Sequence, residues 1–199
     1  MKRLAILISG RGSNFEAIAA NVAHGIIPAE IAVVVSNRPE AAGLATARRL
    51  GVHSVAIPSK GLDREVYDRM VIDELDRYGI DLVCLAGFMR LLSARFIRHF
   101  PERILNIHPS LLPAFPGLDA QRQALEHGVK ITGCTVHFVD EQLDSGPILL
   151  QAAIPVMDTD TVETLSARIL AEEHRIYSEA IRIVLAGAYE VAGCRVILR

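Results

Sequence analysis

Across the first hundred residues, short apolar runs of strand length alternate with longer amphipathic stretches of helical period, and this constrains the fold more than any other feature. Leu4 to Ile8, Ile31 to Val35, His53 to Ile57, Ile80 to Ala86 and Arg103 to Asn106 read as strands. Ser13 to Val22, Glu40 to Leu50, Leu62 to Tyr78 and Ser93 to His99 read as the helices between them. Gly51 and Gly79 stand where a helix needs a left-handed residue to end, and Ser13-Asn14-Phe15-Glu16 has the pattern of a capping box. On the third helix, Leu62, Val66, Tyr67, Met70, Leu75 and Tyr78 form the apolar stripe; Asp63, Glu65, Asp68, Asp73 and Asp76 fall elsewhere. Such alternation predicts right-handed βαβ units: an α/β fold with a mostly parallel twisted sheet and helices on both faces. Ligands of such folds bind beyond the carboxyl ends of the strands.

After Pro109 the pattern changes. Pro109, Pro113 and Pro116 stiffen an irregular loop, and nothing in the sequence says which of its X-Pro bonds is cis. Gln121 to His127 reads as a short helix ended by Gly128. Thr132 to Val139 and Pro147 to Pro155 read as antiparallel strands. Asp160-Thr161-Val162-Glu163 reads as a second capping box opening a long final helix to about Ala186, and Ala188 to Leu198 as a hairpin around Gly193. The expectation is one domain over residues 1–199, with no repeat or linker.

Composition narrows the function. Half the 199 residues are apolar, enough for one core, and with no Trp the aliphatic residues must fill it. A net charge of −2 without runs of like charge argues against nucleic-acid or membrane-surface partners. Cys84, Cys134 and Cys194 are far apart and form no paired motif, so neither a disulfide framework nor a metal site is expected. The N-terminal apolar run is short and passes into a Gly-rich turn, so it reads as a strand and not a signal peptide. No apolar stretch is long enough to span a bilayer, and a cytoplasmic location is expected.

Four segments can carry chemistry. Gly10-Arg11-Gly12-Ser13-Asn14 joins a strand to a helix, where free N–H groups suit an anion; the alternative is a tight turn with no ligand. It is not a dinucleotide fingerprint, because Phe15 stands where the third glycine belongs, and no Gly-Lys-Ser/Thr follows to make a P-loop. Asn106 and His108, two apart on a strand, face one side. An amide that stabilises an oxyanion beside an imidazole that exchanges protons suits acyl chemistry, though a locally satisfied His fits the pattern equally. Asp140 to Gly146 supplies Asp140, Glu141 and Asp144, as a solvated turn or as a carboxylate that orients His108 and favours its charged form. Leu85 to Leu92 is apolar with one cation, Arg90; it reads as core plus turn or as a surface for a flat heterocycle. His137, in a strand pattern, reads as a core or supporting residue.

Together these strings resemble the phosphoribosylglycinamide formyltransferases, folate-dependent enzymes of purine synthesis. The resemblance rests on Ile8 to Asn14, Leu85 to Arg90, Leu105-Asn106-Ile107-His108-Pro109-Ser110-Leu111-Leu112-Pro113, and Gly133 to Val139 continuing to Leu143-Asp144-Ser145-Gly146-Pro147. It implies 10-formyltetrahydrofolate as co-substrate, no metal, small-molecule partners, and a monomer or homodimer. Asn106, His108 and Asp144 would be the catalytic trio. Gly12, Ser13 and Asn14 would hold the substrate phosphate, and Glu173 would grip the glycinamide. Arg64, Met89, Arg90, Leu91, Leu92, Asn106, Asp140, Glu141, Leu143 and Asp144 would form the folate side. Residues 1–100 then read as a phosphate-binding half and 101–199 as a catalytic and folate half. One departure stands out: Asp119 and Gln121 occupy positions where some relatives carry histidines. The rivals are a formyltetrahydrofolate hydrolase, which normally has an additional N-terminal domain, and a non-catalytic folate or nucleotide sensor. A methionyl-tRNA formyltransferase would need a C-terminal domain and a basic surface.

Overall fold

The computed structural model describes residues 1–199, which divide into two compact units, Met1–Asn106 and Ile107–Arg199. In the first unit, β1 (Lys2–Ile8), β2 (Ala29–Ser36), β3 (Ser54–Ala56), β4 (Leu82–Leu85) and β5 (Ile104–His108) lie in the order β3-β2-β1-β4-β5, every pair parallel. Leu4 to Ile8 and Leu82 to Leu85 are buried without alternation, as strands covered on both faces must be. The helices α1 (Ser13–Ala23), α2 (Ala42–Arg49), α3 (Arg64–Leu75) and α4 (Ala94–His99) connect them, with a 3₁₀ turn at Asp76–Tyr78. From β1 the chain builds outward through β2 and β3, then returns to β1's other side with β4. The strand order therefore reverses between β1 and β4, and the crevice at such a switch point is where open α/β sheets bind ligands.

Two sequence expectations fail in this unit. The capping box at Ser13 does not form. Gly12 is the cap, in the left-handed conformation (φ 78°), and Ser13 is already helical. Glu16 is thereby released and accepts a hydrogen bond from Thr46 Oγ1 (3.0 Å) on α2. The apolar stripe of α3 is also rotated from its expected position. Val66 and Met70 are exposed, whereas Tyr67, Asp68, Val71, Ile72 and Leu75 are buried. Asp68 tolerates burial because its Oδ2 accepts the Ser93 backbone N–H at 2.5 Å; Ser93 in turn caps α4.

The second unit begins with the last two residues of β5. Its strands β6 (Ile131–Phe138), β7 (Ile148–Pro155), β8 (Tyr189–Ala192) and β9 (Arg195–Leu198) run in the order β6-β7-β9-β8. β6–β7 and β8–β9 are antiparallel, the latter being the expected terminal hairpin. Helix α5 (Ala120–Glu126) is short. The long α6 (Val162–Ala186) turns Leu165, Ile169, Ile176, Tyr177, Ala180 and Ile181 inward, and it packs on β6, β7 and α5. Its capping box is displaced by one residue: Thr161 and Thr164 cap each other, while Asp160, one residue outside, binds Met157 N and Arg168. The expected α/β class is borne out, with mostly parallel strands, antiparallel C-terminal strands and a long final helix. No helix is long and apolar enough to cross a membrane.

Candidate active site

The switch point of the first unit opens into a cavity of about 240 Å³. Gly10, Arg11, Gly12, Ser13 and Asn14 form one wall, and Ala86, Gly87 and Met89 another; Ser9 and Arg38 complete it. The glycine loop is closely backed. Gly43 N on α2 donates to Gly10 O (3.1 Å), and a Cβ on Gly43 would come within 2.4 Å of Ile8 Cδ1. Gly12, Ser13 and Asn14, the expected anion cradle, therefore sit at a helix N-terminus lining a real cavity. Ser9 ties this loop to the next strand end: its hydroxyl accepts Met89 N–H (2.7 Å) and donates to Asn37 Oδ1 (2.6 Å).

Of the expected folate-side residues in this unit, Met89 and Leu91 are exposed and Leu92 is buried. Arg90 lies over the Tyr67 ring, 4.7 Å from its centroid, with Nη1 at 3.5 Å from Ser59 O. Burial raises the Tyr67 phenol's pKa above its ordinary value, so it remains protonated there. Arg64 opens α3 and is exposed.

In the second unit, His108 ends β5 and is buried. Its Nε2 lies 2.9 Å from Phe115 O, a carbonyl that can only accept, so Nε2 carries a proton and donates. Nδ1 is left as the nitrogen that can gain or lose one. It lies 3.4 Å from Asp144 Oδ2, at ion-pair distance. The sequence, with these residues 36 positions apart, could not show this contact. Asp144 adopts positive φ (49°), and its Oδ2 also accepts Gly117 N–H at 2.8 Å. The proline-rich loop thus holds both side chains, His108 through Phe115 and Asp144 through Gly117. That loop carries a cis Leu112–Pro113 bond and hangs from Thr135 on β6. The Thr135 hydroxyl accepts from Leu112 N (3.0 Å) and donates to Ser110 O (2.7 Å). Asn106 precedes His108 by one pleat on the same strand and is half-buried.

His137 takes the core or supporting place that its strand pattern suggested. It is buried, with Nε2 3.8 Å from Asp144 Oδ1 and Nδ1 donating to Phe138 O at 2.9 Å. Burial lowers its pKa, against the opposing pull of the Phe138 carbonyl and Asp144, so this imidazole favours the neutral form. Asp140 closes a turn by accepting Gln142 N–H (3.0 Å); Glu141 and Leu143 are exposed beside it. Glu173 is buried on α6, near enough to Cys134 to help burial push that thiol up to about 12. Asp119, where some relatives carry histidine, is the left-handed cap of α5, and Gln121 is half-buried in its first turn.

Residues 2–181 match the family described as Formyl transferase. The chain belongs to this family. Among curated relatives, the phosphoribosylglycinamide formyltransferase of Escherichia coli is 46% identical over 175 residues, covering 87% of this chain and 82% of that one. The trifunctional purine biosynthetic protein adenosine-3 of Bos taurus is 46% identical over 187 residues, covering 94% of this formyl transferase. The match spans only 18% of that much longer protein. Among solved structures, glycinamide ribonucleotide transformylase 1 from Symbiobacterium toebii superposes with a TM-score of 0.97 at 55% identity, covering 100% of this chain and 94% of that one.

Proposed function

We propose that this formyl transferase moves the formyl group of 10-formyltetrahydrofolate to the amine of 5'-phosphoribosylglycinamide, giving formylglycinamide ribonucleotide and tetrahydrofolate in purine biosynthesis in the cytoplasm. The observation that carries the reading is the setting of His108. Phe115 O holds Nε2–H, which leaves Nδ1, 3.4 Å from Asp144 Oδ2, as the nitrogen that can exchange a proton. An imidazole fixed in this way suits an oxygen that becomes negative during acyl transfer.

In this mechanism the acceptor amine attacks the formyl carbon and forms a C–N bond. His108 Nδ1–H and the Asn106 amide stabilise the tetrahedral oxygen. The intermediate collapses with cleavage of the bond to folate N10, and the proton lost by the amine goes to that nitrogen. Gly12, Ser13 and Asn14 hold the phosphate, and Glu173 grips the glycinamide. Arg64, Met89, Arg90, Leu91, Leu92, Asp140, Glu141 and Leu143 take the folate.

Purified protein with 10-formyltetrahydrofolate tests the reading. Tetrahydrofolate released only when the ribonucleotide is present is the expected result. Release without it points to a hydrolase, and no release under either condition to a sensor; either result contradicts the proposal.

A further inference from the structure

We propose that Arg38 is the specificity residue for the acceptor's phosphate: its guanidinium makes the enzyme select a 5'-phosphorylated ribosyl amine over the unphosphorylated riboside. The inference rests on the function proposed above. A phosphomonoester near neutral pH carries close to two negative charges. A helix N-terminus offers about half a positive charge, so Gly12, Ser13 and Asn14 alone leave most of that charge uncompensated. A guanidinium adds a full charge and a planar pair of donors suited to phosphate oxygens.

Arg38 is placed for this. It leaves the carboxyl end of β2 and lines the same cavity as the glycine loop. Its side chain makes no ion pair that would occupy the charge. Its root is fixed on both sides. Ser36 Oγ accepts Arg38 N–H (3.1 Å) and donates to Arg38 O (2.9 Å). The preceding Asn37 is buried, taking the Ser9 hydroxyl on Oδ1 (2.6 Å) and donating from Nδ2 to Ser59 Oγ (3.2 Å). Ser9 is the residue before Gly10, so one buried hydrogen-bonded chain sets both the cradle and the base of the arginine. An unpaired cation on a rigid anchor loses little on engaging an anion, because only its own rotamers are ordered.

The test compares two acceptors, the ribonucleotide and its riboside without phosphate, across the parent enzyme, Arg38→Gln and Arg38→Lys. Arg38→Gln should raise the ribonucleotide KM by about tenfold, as loss of one charge-assisted contact does. It should leave kcat, the folate KM and the kcat/KM of the riboside unchanged. Arg38→Lys should recover part of the loss, since it restores charge without the planar fork. Equal losses on both acceptors, or no loss on the ribonucleotide, would overturn the assignment. A parent enzyme that formylates neither acceptor would instead sink the functional reading, and this inference with it.

Discussion

Asp144→Asn isolates the charge beside His108 while sparing the architecture. The carboxylate Oδ2 is 3.4 Å from His108 Nδ1 and 2.8 Å from Gly117 N. Asparagine keeps an oxygen for Gly117 and tolerates the left-handed backbone at this position (φ 49°). The substitution removes the carboxylate charge 3.4 Å from Nδ1 without moving the oxygen that Gly117 N–H holds. With its oxygen kept on Gly117, the amide N–H₂ takes the place of Oδ1 on the side of His137 Nε2. What is lost is the negative charge beside Nδ1, the nitrogen that would carry the proton meeting the formyl oxygen. The kcat should fall by about 10²- to 10⁴-fold, the range of positioned acid–base groups, with the melting temperature little changed. Steady-state kinetics at saturating levels of both substrates, with a thermal melt on the same sample, reads both quantities. A kcat within about threefold of the parent in a folded variant would refute the reasoning, since so small a change leaves no room for a general acid–base role.

Three further perturbations follow from the packing. Burial raises the pKa of Asp68 above its ordinary 3.8, against the Ser93 hydrogen bonds and Arg90. The folded state therefore holds that proton to higher pH than the unfolded chain, and this group's contribution to stability declines as pH rises above 3.8. Asp68→Asn should remove that decline, so urea unfolding of parent and variant from pH 4 upward should diverge; parallel curves would count against it. Thr135→Val leaves Leu112 N–H and Ser110 O without their shared partner and should cost about 2–6 kcal/mol in urea unfolding, at about 1–3 kcal/mol per buried group stranded. Thr135→Ser should behave nearly as the parent, and equal losses in the two would contradict this account. A Cβ on Gly146 would lie 1.9 Å from Phe138 O, so Gly146→Ala must shift backbone two residues from Asp144. A melting temperature and kcat like the parent's would show that the loop yields more easily than its contacts imply.

How far the sequence could be read depends on what each feature rests on. β1 and β4 were legible because a strand buried on both faces has to be an unbroken apolar run. The glycine loop was legible because its signal is local. Ser13 misled because a capping box and a first helical turn share the same letters, and only the backbone of Gly12 decides between them. Asp68 misled because a carboxylate on a helix is presumed to face water. Its burial is stabilised by a backbone N–H 25 residues away, which no periodicity reports. The partners at the candidate site are hidden for the same reason. Phe115 acts on His108 through a carbonyl that any residue carries, and His137 meets Asp144 only once β6 and the following loop are folded. Resemblance named Asn106, His108 and Asp144 as a unit; the fold adds that Phe115 O holds Nε2 of His108 and that Nδ1 faces Asp144.

The most direct measurement of the central claim follows the carbon itself. The enzyme would be incubated with ¹³C-formyl-labelled 10-formyltetrahydrofolate and 5'-phosphoribosylglycinamide, and the label located by ¹³C NMR. The account predicts that the label appears as a formamide carbon bonded to the glycinamide nitrogen, in step with tetrahydrofolate. Label recovered as free formate, or left on the folate, would contradict it.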